Sequence, residues 1–342
     1  MDLWRLNIFF AVSHCKNFQF YMSYNSAESA IERTDTDAAV SKLSCVEAGY
    51  YEDEFIAMFV KVKLRRNPII NMGYYIRVSL MRRLIYQFVL SMETNCQIVI
   101  LGAGSDTNGL WALKEFGDGL KVFEVDFVGP ISRKARCLSQ NRHQLQCLFP
   151  DSEYPNCSFN NPGEVPWGTN TYRLLSYDLR DPMENLDSKL QVAGFQRNLP
   201  TLFLSECVLI YLTRPESDRV ISWIANRESL AILGVYEPIN GQDPFGKMMV
   251  ENLSRRGTPL LSIVDSVEYQ RERFTSLGFT ESRVEKLADL TKLFPQKKLV
   301  IFDEVEEFNL FQNHYCFAMA SSISDEKVKD MITTMFERNC DA

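Results

Sequence analysis

Between Cys96 and Ile239 the chain repeats one unit, an apolar, β-rich run followed by an amphipathic or polar stretch. "CQIVILG" (96–102) is continuously apolar, as expected of a strand buried on both faces. "LKVFEVDF" (120–127), "YRLLSYDL" (172–179), "PTLFLSECVLIYL" (200–212) and "SLAILGVYEPI" (229–239) read as the next four strands. "LWALKEF" (110–116) can begin a helix, and "ISRKARCLSQNRHQLQ" (131–146) has helical periodicity. In "TRPES", Thr213 and Glu216 have capping-box spacing with Pro215 in the first turn. "KKLVIFDEVEEFN" (297–309) and "HYCFAMA" (314–320), separated by "LFQN", predict a closing antiparallel hairpin. Strands alternating with helices imply an α/β fold with a doubly wound, mostly parallel sheet of seven strands and helices on both faces.

This pattern divides the 342 residues. Residues 1–29 read as an N-terminal extension and 30–95 as a helical lid, since about 95 residues of mostly helical pattern precede the first core strand. Residues 96–320 form the core, with a helical insert at about 241–295, and 321–342 form a tail. A loop rich in Pro, Asn and Gly runs to about Asn170.

In a doubly wound sheet a ligand sits outside the carboxyl ends of the strands. The first strand breaks there into "GAGSDT", where Gly102 and Gly104 allow close backbone approach to a ligand. Twenty-four residues after Gly102 stands Asp126, an acid placed to take two ribose hydroxyls. That pair suits NAD, FAD and S-adenosylmethionine alike. The third glycine of a dinucleotide fingerprint is missing, and Asp106, one residue before its position at Thr107, would compete with a pyrophosphate at the helix N-terminus, but not with an ammonium or a sulfonium. Asp178 follows the third strand and Glu206 lies within the fourth, so three acids share one edge. A single acid at a strand end is as often idle as functional; three together are harder to dismiss. Lys42 in "RTDTDAAVSK" and Arg77 in "GYYIRV" are cations in an apolar helical region, and Arg suits a carboxylate clamp. "KVKLRR" (61–66) reads first as a solvated face.

The net charge of −7 disfavours a nucleic-acid partner. Nine scattered cysteines, without a CxxC pair, read as reduced thiols of an intracellular, cytoplasmic protein. Three histidines without a helical partner make a metal site unexpected. No apolar run reaches the roughly 18 residues that cross a membrane, and Asp2 stands where a signal peptide carries positive charge. Neither a nucleophile elbow nor a Walker A pattern is present.

Taken in order, "RTDTDAAVSK", "GYYIRV", "LGAGSDT", "FEVDF", "DLRD", "LPTLFLSECVLIYL", "FGKMMVENLSRR" and "HYCFAMA" resemble the leucine carboxyl methyltransferase family from about residue 30 to 320. The resemblance implies a class I S-adenosylmethionine-dependent methyltransferase fold. It implies methylation of the C-terminal leucine carboxylate of type-2A protein phosphatase catalytic subunits. It also implies roles: Lys42 and Arg77 on the methionine carboxylate, Gly102 and the turn through Gly104 under the methionine, and Asp126 on the ribose. Asp178 and Leu179 would meet the adenine and Glu206 the amino group. Tyr211 would stand beside the incoming leucine carboxylate, and Arg180, Arg255 and Arg256 are candidates for peptide contact. A carboxylate is ionised at neutral pH, so transfer needs positioning and partial desolvation rather than a general base. The phosphatase tail is the expected partner, with no membrane or nucleic-acid partner and a monomeric chain. The alternatives are a relative acting on a tRNA wybutosine precursor, a small-molecule carboxyl methyltransferase, and a non-catalytic protein that binds the phosphatase and senses the cofactor.

Overall fold

A computed structural model describes residues 27–93, 95–117, 119–149, 167–294 and 305–337. Most of the extension predicted at 1–29 and the end of the tail lie outside the described residues. Among the described residues three helices precede the sheet: α1 (Ala27–Glu47), the single turn α2 (Ile56–Phe59) and α3 (Pro68–Ser91). Asn67 caps α3 through its side chain, accepting the Ile70 amide at 3.0 Å, with Pro68 in the first turn.

The alternating unit then follows. It comprises β1 (Cys96–Leu101), α4 (Asn108–Phe116), β2 (Leu120–Asp126), α5 (Val128–Gln140), β3 (Trp167–Gly168), β4 (Tyr172–Ser176), α6 (Met183–Val192) and β5 (Thr201–Glu206). It continues with α7 (Arg214–Ala225), β6 (Ala231–Pro238), α8 (Pro244–Arg255) and α9 (Val267–Ser276). The chain closes with β7 (Glu281–Lys286), α10 (Leu287–Leu290), α11 (Val305–Asn313), β8 (Tyr315–Ser321) and α12 (Glu326–Glu337).

Among the described residues the sheet has eight strands in the order β3-β4-β2-β1-β5-β6-β8-β7, parallel from β4 through β6. The order reverses between β1 and β5, which is where a doubly wound sheet opens a crevice. Period-two alternation assigns β1 to both layers of core. Ile98 and Ile100 pack in a cluster with α3, α4 and α5, while Val99 and Leu101 pack in a second cluster with α6 and α7. The tail helix α12 sends Val328, Met331 and Met335 into buried positions, and Met331 and Met335 join the α3-side cluster.

Four expectations need correction. The count is eight rather than seven, because two residues, Trp167 and Gly168, pair antiparallel with β4 at the edge. β8 pairs antiparallel with β6 on one side and, on the other, with Glu281–Lys286, from the stretch expected to be helix and loop, rather than with 297–309. Residues 305–309, expected in a strand, open helix α11, and the "LFQN" that was to form the hairpin turn completes it; residues 297–304 lie outside the described residues. The fourth strand ends at Glu206 instead of running to Leu212: Cys207 takes a left-handed φ of +57° and residues 209–211 form a 3-10 turn. The capping box holds, with Glu216 accepting the Thr213 amide at 2.8 Å and hydroxyl at 2.6 Å. Among the described residues no helix is long and apolar enough to cross a membrane. Six cysteines there are free thiols, with Cys147 exposed.

Candidate functional site

A cavity of about 550 Å³ opens at the carboxyl ends of β1, β2, β4 and β5, and α1 and α3 form its other wall. The turn after β1 forms its floor. Gly102 and Gly104 have φ of +62° and +44°, and neither has room for a side chain. A Cβ on Gly102 would overlap Val208, and one on Gly104 would stand 2.5 Å from Asp35 Oδ1.

Four charges meet at one end. Lys42 from α1 places Nζ 2.7 Å from Asp106 Oδ1 and 2.8 Å from Glu206 Oε1. Arg77 from α3 places Nε 2.5 Å from the same Glu206 oxygen. All four side chains are nearly buried, between 5% and 15% exposed. Burial works against the Lys42 charge, but the Asp106 and Glu206 carboxylates outweigh it and hold the ammonium above its ordinary range. Burial likewise opposes the Asp106 charge, and Lys42 and Lys134 overcome it, keeping that carboxyl below its ordinary value. The Arg77 guanidinium stands 5.2 Å from the ring centres of both Tyr74 and Tyr236. Asp106 Oδ2 accepts the Asn108 amide at 3.1 Å, in the place at the α4 N-terminus that a phosphate would need.

Along the edge, Asp126 takes the Gly104 amide on Oδ2 at 2.7 Å and the Phe127 amide on Oδ1 at 2.6 Å. Lone pairs remain on both oxygens for further donors. Burial pushes this carboxyl up to about 6. Asp178 stands two residues beyond β4 and is gripped by Arg180, with Nε at 2.9 and 3.0 Å and Nη2 at 2.5 Å. Burial would raise Asp178, but the Arg180 bonds hold it below its usual value. Leu179 lines the same end.

Tyr211 ends the turn that follows β5 and lines the cavity near Arg77 and Tyr74. The carboxylate of Glu237, at the end of β6, accepts the Ile210 amide at 2.9 Å and braces that turn from behind. Burial pushes Glu237 up to about 7. Cys207 lines the cavity as a thiol, its pKa raised to about 11 by burial.

Eleven of the twelve residues expected from sequence line this cavity. Arg255 does not; it pairs with Glu251 at 2.6 Å on an exposed face of α8. Both other arginines line it: Arg180 is held beside Asp178 and over the Phe127 ring, and Arg256 stands near Asp37 and Arg66. Asp35 and Asp37 line it too without a sequence expectation, and Arg66, read within "KVKLRR" as part of a solvated face, is instead buried and lines it as well. Asp35 lies seven residues before Lys42, two helical turns along one face, which is the signal that could have found it.

A sequence model of the family described as leucine carboxyl methyltransferase matches residues 30–225. A leucine carboxyl methyltransferase 1 homolog of Arabidopsis thaliana is 37% identical over 307 residues, covering 86% of this chain and 90% of that protein. Leucine carboxyl methyltransferase 1 of Bos taurus is 32% identical over 315 residues, covering 87% and 92%. The tRNA wybutosine-synthesizing protein 4 of Rattus norvegicus is 31% identical, but the match covers 44% of that protein. In shape the chain is similar to a DUF574-family protein from Streptomyces avermitilis, at a TM-score of 0.51 and 13% identity, over 84% of this chain and 98% of that one. The fold is that of the class I methyltransferases.

Proposed function

The chain belongs to the leucine carboxyl methyltransferase family, and from that premise we propose that it methylates the C-terminal leucine carboxylate of a type-2A protein phosphatase catalytic subunit, using S-adenosylmethionine. The four-charge cluster is the observation that carries the cofactor assignment. Each of its charges already has an opposite partner. A ligand bearing both an ammonium and a carboxylate can therefore enter by exchange, leaving no buried charge unpaired. Lys42 and Arg77 would take the carboxylate, and Glu206 and Asp106 the ammonium. The turn at Gly102–Gly104 offers backbone, Asp126 retains acceptor capacity for a ribose, and Asp178 with Leu179 closes the outer end for an adenine. The Asp106 carboxylate on the α4 amide disfavours a pyrophosphate there.

When bound, the cofactor supplies an electrophilic methyl group on sulfur, which a carboxylate oxygen accepts in line. The chain's own residues orient and desolvate. No histidine is among the described residues lining the cavity, and Cys207 is a thiol at neutral pH. An ionised carboxylate needs neither as a base. Tyr211 and Tyr315 line the cavity near Arg77 and would offer hydroxyls to an incoming terminus, and Leu253 and Leu260 would add apolar surface for a leucine side chain.

The test is incubation with methyl-labelled S-adenosylmethionine and the phosphatase catalytic subunit, with and without its terminal leucine. Label that requires the leucine and is lost to mild base supports the ester. Label independent of the leucine overturns the substrate assignment. Tight phosphatase binding without label would indicate a binding protein instead.

A further inference from the structure

Behind the cavity wall lies a second pair of charges. Lys134, in the second turn of α5, is 2% exposed, and Glu124, in the middle of β2, is fully buried. The two pair directly. A buried ion pair is a weak source of stability, and apolar residues of similar size often replace one at no loss. What its atoms hold is therefore informative. Lys134 Nζ also donates to the backbone carbonyl of Asp106 at 2.6 Å. Its charge stands 5.7 Å from the centre of the Phe59 ring. Glu124 in turn abuts the first turn of α4, where a Cβ on Gly109 would come within 2.5 Å of Oε1. One buried pair thus touches β2, α4 and α5, together with the residue that joins the glycine turn to α4.

That residue matters because of its side chain. Asp106 Oδ1 takes Lys42 Nζ at 2.7 Å, and Oδ2 takes the Asn108 amide. Its carbonyl is fixed from below and its carboxylate points into the cavity. We propose that Lys134 is a positioning residue for the cofactor site: anchored on Glu124, it fixes the Asp106 backbone and through Asp106 sets where Lys42 stands. Lys134 is not among the residues that line the cavity. The proposal rests on the reading that Lys42 and its neighbours hold the methionine end of S-adenosylmethionine.

The experiment measures S-adenosylhomocysteine binding by calorimetry, and the unfolding midpoint without ligand, on the full chain. The variants are Lys134→Met, Lys134→Arg, the double variant Glu124→Gln with Lys134→Met, Asp106→Ala, and Asp106→Ala with Lys134→Met. Burial already pushes Glu124 up to about 7, so loss of Lys134 leaves an acid able to take a proton rather than a bare charge. The double variant should keep its midpoint yet bind about tenfold more weakly. Lys134→Arg should keep the ion pair and the midpoint and still lose affinity, because the planar fork cannot reproduce a single donor on the Asp106 carbonyl. With Asp106 truncated, Lys134→Met should add little further loss, since the two act on one element. A double variant that binds as tightly as the unaltered chain, or losses that simply add, overturns the positioning role. Failure of the unaltered chain to bind overturns the cofactor reading, and this proposal with it.

Discussion

Ser105 donates twice to Asp35: its amide reaches Oδ1 at 2.5 Å and its hydroxyl reaches Oδ2 at 3.0 Å. The contact ties α1, which carries Lys42, to the turn that forms the cavity floor. Replacing Asp35 by Ala removes both bonds and leaves a partly buried amide without its acceptor. The expected outcome is weaker S-adenosylhomocysteine binding by about 1–2 kcal/mol, read by calorimetry. Unchanged affinity would show that the attachment of α1 at this point does not shape the ligand site.

Arg77 shares the Glu206 oxygen with Lys42 and is flanked by two tyrosine rings. Arg77→Ala should weaken cofactor binding by about 1.5–3 kcal/mol, the range for a lost charge-assisted bond. Arg77→Lys should restore little, because an ammonium lacks the planar surface that stacks between Tyr74 and Tyr236. A calorimetric titration that finds either variant unaltered removes Arg77 from the site.

Tyr211 lines the cavity on the turn braced by Glu237. Tyr211→Phe removes the hydroxyl and keeps the ring. It should lower kcat/KM for the phosphatase by about tenfold, one hydrogen bond's worth, with cofactor affinity unchanged. An equal loss in cofactor affinity would assign the Tyr211 hydroxyl to the cofactor rather than to the incoming terminus.

Glu237 should give a pH signature in stability. Burial lifts its carboxyl from an ordinary value near 4.5 to about 7. A raised carboxyl binds its proton more tightly in the folded state, so its contribution favours folding at low pH and is lost as pH rises from about 4.5 to about 7. Glu237→Gln keeps an acceptor for the Ile210 amide and removes the titration. The unfolding midpoint of the variant should gain on that of the unaltered chain over this window and stay level above it. The full swing is on the order of 3 kcal/mol. A constant difference from pH 4 to 8 would show that Glu237 is not strained by burial.

The elements legible in the sequence are those whose signal is local. Apolar runs gave β1, β2 and β6, and Thr213 with Glu216 gave the start of α7. The strand-end acids were legible because the sheet topology alone puts Asp126, Asp178 and Glu206 on one edge. β7 was missed because it is an edge strand, "ESRVEK", with only Val284 buried, so no apolar run marks it. The end of β5 was misplaced for the opposite reason. "VLIYL" has strand composition, but Glu237, contributed by another strand, binds the Ile210 amide and turns the chain. Lys134 carried no signal, since a lysine on a helix is usually solvated and only the fold reveals that this one is enclosed.

The two cations and their acids come from far-separated parts of the chain. Lys42 and Asp106 lie 64 residues apart, and Arg77 and Glu206 lie 129 apart, with acids always later. During synthesis the helices carrying Lys42 and Arg77 emerge well before the strand that neutralises them. Until β5 is made, packing those helices would enclose Arg77 without the Glu206 carboxylate and leave Lys42 with Asp106 alone, at a cost that opposes docking. On that ground the N-terminal helices should dock late, with the wall of the cavity closing when the far side of the sheet has arrived.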